Sequence, residues 1–229
     1  MLIFISIMKA FFFYIFLFTF YLITNIVSAQ NTALDFDGSN DYINIADNAS
    51  LTSTNAITIS AWFKKLSSSN WMSIFGKGTT DANEEYVLMV KDDQVYFDVG
   101  QGGGPYLQQS TTISVGVWHH IAAIHNRSGS TSTLKVYLNG KDVGGSTVGA
   151  SNSPNDNSHP LTIGSRFSTS NAPFQGQIDE VRIWSEARSQ AEIKANMHTE
   201  LSGDESNLVA YYNFNEGTGT TVSDMSNNS

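Results

Sequence analysis

The 229-residue chain has no cysteine. That excludes thiol nucleophiles, thiolate zinc sites and disulfide staples, so a core must hold the fold unaided. Positive charge is scarce: 12 lysines and arginines stand against 21 aspartates and glutamates, giving a formal net charge of −9. An acidic surface argues against nucleic acid or anionic lipid as partner, and suits hard cations such as Ca²⁺ or neutral sugars. Catalytic signatures are missing too. No Ser/His/Asp arrangement is visible, and no glycine-rich phosphate loop follows a strand; Gly102-Gly103-Gly104-Pro105 is a flexible turn. The five histidines make no metal set. His119 and His120 face opposite ways on a strand, while His119 and His125 share a face at a separation of roughly 20 Å.

The first 29 residues stand apart from the rest. A short basic start at Met8-Lys9 is followed by an aromatic and aliphatic run from Ala10 to Ile23, and Val27-Ser28-Ala29 supplies small residues for signal peptidase. We expect a secretory signal cleaved at or near Ala29-Gln30, with Met8 the better start. The alternative is a transmembrane anchor, but Asn25 and the small-residue site follow the apolar run directly. The protein is therefore expected to be secreted or held at the cell surface, with no membrane insertion after cleavage. Removing Lys9 takes the charge from −9 to −10. What remains is long enough for one sandwich with a substantial core.

Beyond the leader the pattern has period 2 nearly throughout. Ile57, Ile59, Ala61 and Phe63 alternate with Thr58, Ser60, Trp62 and Lys64. The pattern predicts strands near 34–37, 41–45, 57–64, 71–77, 86–91, 94–99, 106–110, 118–125, 133–138, 161–163, 175–184 and 208–214. Asp92-Asp93 and Asn139-Gly140 are two-residue hairpin turns, the second the strongest such signal in the chain. Stretches 100–105, 127–132 and 144–159 are rich in glycine and serine and are expected as loops. Ser189 with Glu192 makes a capping box and predicts one short helix to about His198. The expected class is all-β: a two-sheet antiparallel jelly-roll sandwich with that one helix. The domain is placed at 30–214. Residues 215–229 form a polar tail without an obvious last strand, as in a fragment or a ragged end.

Three segments carry a family resemblance: Ala33–Ala46 (ALDFDGSNDYINIA), Trp118–Lys141 (WHHIAAIHNRSGSTSTLKVYLNGK) and Gly176–Lys194 (GQIDEVRIWSEARSQAEIK). In this order and spacing they resemble the laminin-G-like, concanavalin-A-like jelly roll of secreted bacterial proteins. The resemblance implies a fold that mostly binds glycans or proteins. The same order also resembles the pentraxins, calcium-dependent lectins in which Asp81, Asn83 and Glu84 would fall on a calcium segment. Their second acidic cluster should follow Ile163-Gly164, where this chain has Ser165-Arg166-Phe167 and a cation that would repel calcium. Laminarinase- and lichenase-type glycoside hydrolases share the fold and carry their carboxylates on one strand as Glu-x-Asp-x-x-Glu. That pattern is absent here. Glu84-Glu85 and Asp179-Glu180 are adjacent pairs, whose side chains point to opposite faces of a strand. The chain is thus expected not to be an enzyme.

Alternation places Asp179 on the face of Val181 and Ile183, the core side, where a carboxylate is costly unless paired, hydrogen-bonded or metal-bound. The hydrolase resemblance implies a structural Ca²⁺ there; the alternative is a hydrogen-bonded role near Gly38. Asp35, Asp37, Asn40 and Asp41 crowd the first hairpin, with Asp37 the best metal contributor of a set that is otherwise ordinary turn chemistry. Glu180 and Arg182 are expected to pair along their strand. Trp71, Tyr106 and Phe174, in or beside polar loops, are the candidate ligand contacts, because a sugar ring stacks on a flat aromatic face while polar neighbours supply directional hydrogen bonds. Trp118 and Trp184 are expected to pack, and Trp62 is ambiguous. The function expected is recognition of carbohydrate or a cell-surface glycoprotein without catalysis. A structural or adhesive module that binds protein is the alternative, and a glycoside hydrolase of the same fold comes third.

Overall fold

A computed structural model describes residues 32–52, 55–79, 83–100, 106–149, 158–167 and 171–227. The leader region and the turn at 102–105 lie outside these residues, as does Asp81. Among the described residues no helix is long and apolar enough to cross a membrane.

The strands run β1 (Leu34–Asp37), β2 (Ile43–Ile45), β3 (Ala56–Lys65), β4 (Met72–Lys77), β5 (Tyr86–Lys91), β6 (Gln94–Val99) and β7 (Tyr106–Ser110). They continue as β8 (His119–Ser128), β9 (Thr131–Leu138), β10 (Lys141–Gly149), β11 (Leu161–Ile163), β12 (Gln175–Trp184) and β13 (Leu208–Tyr212). They build two antiparallel sheets, a jelly-roll sandwich. One sheet has the order β1-β12-β3-β8-β9-β10, with β13 also on β12; the other has β2-β11-β4-β5-β6-β7. Period 2 decides the layering. Ile57, Ile59, Ala61 and Phe63 of β3 face inward and meet Tyr86, Leu88 and Val90 of β5 and Val95, Phe97 and Val99 of β6 in one core. The face of each sheet turned away from this core is called its outer face below.

Three expectations are corrected. The stretch 144–159 is not a loop from its start, because β10 occupies Lys141–Gly149. The Asn139-Gly140 turn returns the chain along β9, and the cross-strand pairing from Lys141↔Leu138 to Gly149↔Thr131 outweighs the weak strand preference of glycine and serine. The stretch 215–229 is partly docked: Met225 N–H donates to the Tyr211 carbonyl at 2.8 Å, and Asp224 Oδ1 accepts from Tyr211 N–H at 3.0 Å. Gly203 permits this close approach, since a Cβ there would lie 2.0 Å from the Met225 carbonyl oxygen.

The third correction concerns Asp179. A β-bulge breaks the β12–β3 register between Asp179, opposite Trp62, and Arg182, opposite Ser60. Glu180 sits in it with φ of 53°. The extra residue flips alternation. Asp179, Arg182 and Trp184 therefore share the outer face with Trp62, Ser60 and Thr58, while Ile178, Val181 and Ile183 enter the core. Asp179 does not share the face of Val181 and Ile183.

That outer face is roofed by the helix α1 (Gln190–Asn196) and the segment after it. The capping box is present in both directions between Ser189 and Glu192. Ile193 buries itself against Ala122, Ile124 and Tyr137. Trp184 packs with Leu208 and Tyr211, with Leu201 against them. Trp62 is half-buried beneath this roof and donates from Nε1 to the Met197 carbonyl at 2.7 Å.

Candidate functional site

The other outer face, on the six-stranded sheet, is only partly roofed by the described residues. Residues after β11 fold back over β4, and Ser73 N–H donates to the Ala172 carbonyl at 2.8 Å. Gly76 lies under this segment, where a Cβ would come within 2.3 Å of the Arg166 carbonyl oxygen. Beyond this wall a row of aromatic rings runs from Trp71, just before β4, to Tyr96 of β6 and Tyr106 of β7. Trp71 meets Tyr96 edge-to-face, with centroids 5.9 Å apart. Tyr96 meets Tyr106 in a near-parallel arrangement at 5.9 Å, with planes 23° apart. Trp71 and Tyr96 are half-buried, and Tyr106 is exposed at 56%.

The row is polar at its margins. Tyr96 hydroxyl donates to Asp98 Oδ2 at 2.9 Å, fixing both side chains. Burial, then the charge and hydrogen bond of Asp98, then the charge of Glu84, push the Tyr96 phenol well above its ordinary value. Gln108 Nε2 donates to Gln94 Oε1 at 3.2 Å, an amide bridge across β6 and β7. Arg166 donates from Nε and Nη2 to Glu84 Oε2 at 2.8 and 2.7 Å. The cation read as repelling calcium is thus paired with an acid of the very segment expected to bind it.

The sequence brought Trp71 and Tyr106 forward separately; the fold places them at the two ends of one row. Tyr96 between them was missed, although strict alternation of Gln94, Tyr96 and Asp98 in β6 puts those three on one face and was there to be read. Phe174 is a correction. It is fully buried at 0% exposure, with its ring edge-to-face with Phe36 and Phe63. It starts the approach to β12 and turns into the core, so it presents no face to a ligand.

Calcium can be tested on the donors present. Asp37 pairs with Gln175, and Asp179 lies four positions further along β12, roughly 13 Å away. The two cannot share an ion. Asp37 Oδ1 caps its own turn through Ser39 N–H at 2.7 Å, and Asp179 Oδ1 accepts from Glu180 N–H at 2.8 Å, inside the bulge and not near Gly38. Among the described residues no group of three His, Asp or Glu side chains could hold a metal ion. The residues do not fit a Ca²⁺ ion held jointly by Asp37 and Asp179.

The acids of β12 are built into the roof. Arg182 pairs with Glu180 and donates to the carbonyls of Asn196 and Thr199 at 2.6 and 2.7 Å. Tyr211 hydroxyl lies 2.9 Å from Glu180 Oε2. Burial pushes the Asp179 carboxyl up to about 7, helped by the charge of Glu180. The buried histidines stay neutral. Burial pushes His120 down to about 3 and His125 to about 4, and His119 is held by Ser114 N–H and Asn139.

A family model described as the concanavalin A-like lectin/glucanases superfamily, of the laminin-G type, matches residues 37–194. Among solved structures, a candidate carbohydrate binding protein from Bacteroides ovatus ATCC 8483 is similar at 21% identity and a TM-score of 0.63, covering 84% of this chain. This chain spans only 54% of that one. A native heptameric SAP-like pentraxin from Limulus polyphemus aligns at 16% identity over 73% of this chain and 82% of its own, with a TM-score of 0.52. The Ruminococcus gnavus IT-sialidase CBM40 bound to α2,3-sialyllactose aligns at 15% identity, 71% of this chain, 95% of its own and a TM-score of 0.59. At these identities the likeness shows the fold. No curated protein matches the sequence.

Proposed function

The chain belongs to the concanavalin A-like lectin/glucanases superfamily, and from that premise we propose that it is a non-catalytic carbohydrate-recognition module. The observation that carries the reading is the row Trp71–Tyr96–Tyr106 on a sheet face that the described residues leave open, edged by amides and a fixed phenol–carboxylate pair. Aromatic faces pack against the apolar side of a sugar ring, and the edge groups bond its hydroxyls. Two of the similar structures are named for carbohydrate binding, which supports the same reading. A partner glycan or glycoprotein outside the cell agrees with the leader expected at 1–29.

Catalysis is not part of the proposal. Glu180 and Glu84 are both tied up in ion pairs with arginine. Asp98, the remaining acid of the row, is held by Tyr96. A glycan array followed by calorimetric titration tests the reading. Trp71→Ala and Tyr106→Ala should each weaken the best glycan about tenfold, a change of about 1.4 kcal/mol. Tyr106 is exposed and Trp71 half-buried, so an unchanged melting temperature of each variant is the check on folding. A glycan that binds the two variants as tightly as the parent would move the site elsewhere.

One observation favours the alternative of a protein-binding adhesive module. Leu66, Val115 and Val117 are exposed at 54%, 50% and 49%, and Gly116 N–H donates to the Lys65 carbonyl, which sets the two segments side by side. A blank glycan array would leave this patch as the lead.

A further inference from the structure

We propose that the aromatic row selects neutral glycans and rejects those bearing carboxylate groups; the proposal rests on the carbohydrate reading above. Among the described residues, the arginine of this face is already engaged. Arginine is the side chain best shaped to clamp a ligand carboxylate. Arg166 spends Nε and Nη2 on Glu84, whose side chain is buried at 1% exposure. A ligand carboxylate would therefore have to compete with Glu84 for this guanidinium, and drawing the cation away from a buried acid is unfavourable. Lys91 ends β5 opposite Gln94 and is followed directly by Asp92 and Asp93. Glu84, Asp92, Asp93 and Asp98 thus outnumber Arg166, Lys91 and Lys65, whose Nζ donates to the Asp92 carbonyl, on and around the row, in a chain of net charge −9.

Asp98 makes the rejection local. Asp98 is buried, and its carboxylate is held beside the central ring by the Tyr96 hydroxyl. A second carboxylate seated over Tyr96 would be a like charge in a partly desolvated place, where screening by water is weak. Sugar hydroxyls meet no such conflict. They can donate to and accept from the Gln94–Gln108 amides.

The test is calorimetric titration of the full chain, in EDTA, with matched probes. Lactose, laminaritriose, xylotriose and arabinotriose form the neutral set; α2,3-sialyllactose and trigalacturonate form the carboxylated set. At least one neutral probe is expected to bind and to lose about tenfold in affinity with Tyr106→Ala. The carboxylated probes are expected at least tenfold weaker than that neutral probe. In Asp98→Asn, with an unchanged melting temperature as the check on folding, the preference for neutral over carboxylated probes should narrow severalfold. Carboxylated probes that bind as tightly as neutral ones, and lose affinity with Tyr106→Ala, would overturn the charge argument while leaving the carbohydrate reading in place. An unchanged preference in Asp98→Asn would overturn it too. Binding to no probe, or binding indifferent to both Trp71→Ala and Tyr106→Ala, would sink the carbohydrate site and this inference together.

Discussion

Asp179 and the buried histidines pull the pH dependence of stability in opposite directions. The Asp179 carboxyl has a folded value near 7 against an ordinary 3.8, so the native state holds a proton that the unfolded chain has lost. Its contribution is complete below about pH 4 and disappears as pH rises through 7, with a slope on the order of 1.4 kcal/mol per unit. His120 and His125 are depressed to about 3 and 4 from 6.5. Their contribution is complete above pH 6.5 and is lost as pH falls toward 3. Asp179→Asn should therefore stabilise the protein at pH 8, by roughly 1–3 kcal/mol, and hardly at all at pH 4. It should also steepen the loss of stability on acidification. Denaturant melts at the two pH values check this, and an equal effect at both would show that Asp179 does not titrate between them. The position of Asp179 could not be had from alternation, because the flip lies in one positive φ at Glu180.

At the scale of the element, α1 is held on the sheet by few and specific contacts. Its N-terminus is closed by the Ser189–Glu192 box, and the carbonyls at its far end receive Arg182. Ser189→Ala should cost about 1 kcal/mol, the usual worth of an N-cap. Arg182→Ala should cost more, about 3–5 kcal/mol, since Glu180 would be left buried beside the Tyr211 hydroxyl without its cation. Equal losses for the two variants in urea melts would show that Arg182 acts only on the helix end. The box was legible because both of its residues are local. The roof over Trp62 was not, because the ring meets Met197 across 135 residues. The strand β10 was hidden by its composition and emerged only from pairing with β9.

For the molecule as a whole, two outcomes follow from how the acids are distributed. The carboxylates are dispersed or paired, and Asp37 and Asp179 lie roughly 13 Å apart along the β1–β12 ladder. The melting temperature in EDTA is therefore expected to match that in millimolar Ca²⁺. A metal bound only by the folded state would raise it by mass action, so a calcium-dependent rise would restore an ion at Asp179. Laminarin and lichenan should release no reducing sugar. A retaining hydrolase needs two carboxyls about 5–5.5 Å apart at the scissile bond, and the candidate acids of the two outer faces are engaged by arginine or tyrosine. Turnover removed by a single carboxylate-to-amide change would refute the non-catalytic reading.

The sequence by itself determined the two-sheet class, the inner face of β3, the turns at 92–93 and 139–140, and the capped helix. Each depends on residues near one another in the chain, through period 2, turn chemistry or a four-residue box. It also placed Trp71 and Tyr106 at the surface. Only the tertiary structure joined those two rings through Tyr96, buried Phe174 between Phe36 and Phe63, and separated Asp37 from Asp179. These are matters of strand order, register and a bulge. Composition does not encode them locally, because pairing partners far apart in the chain decide which residues meet.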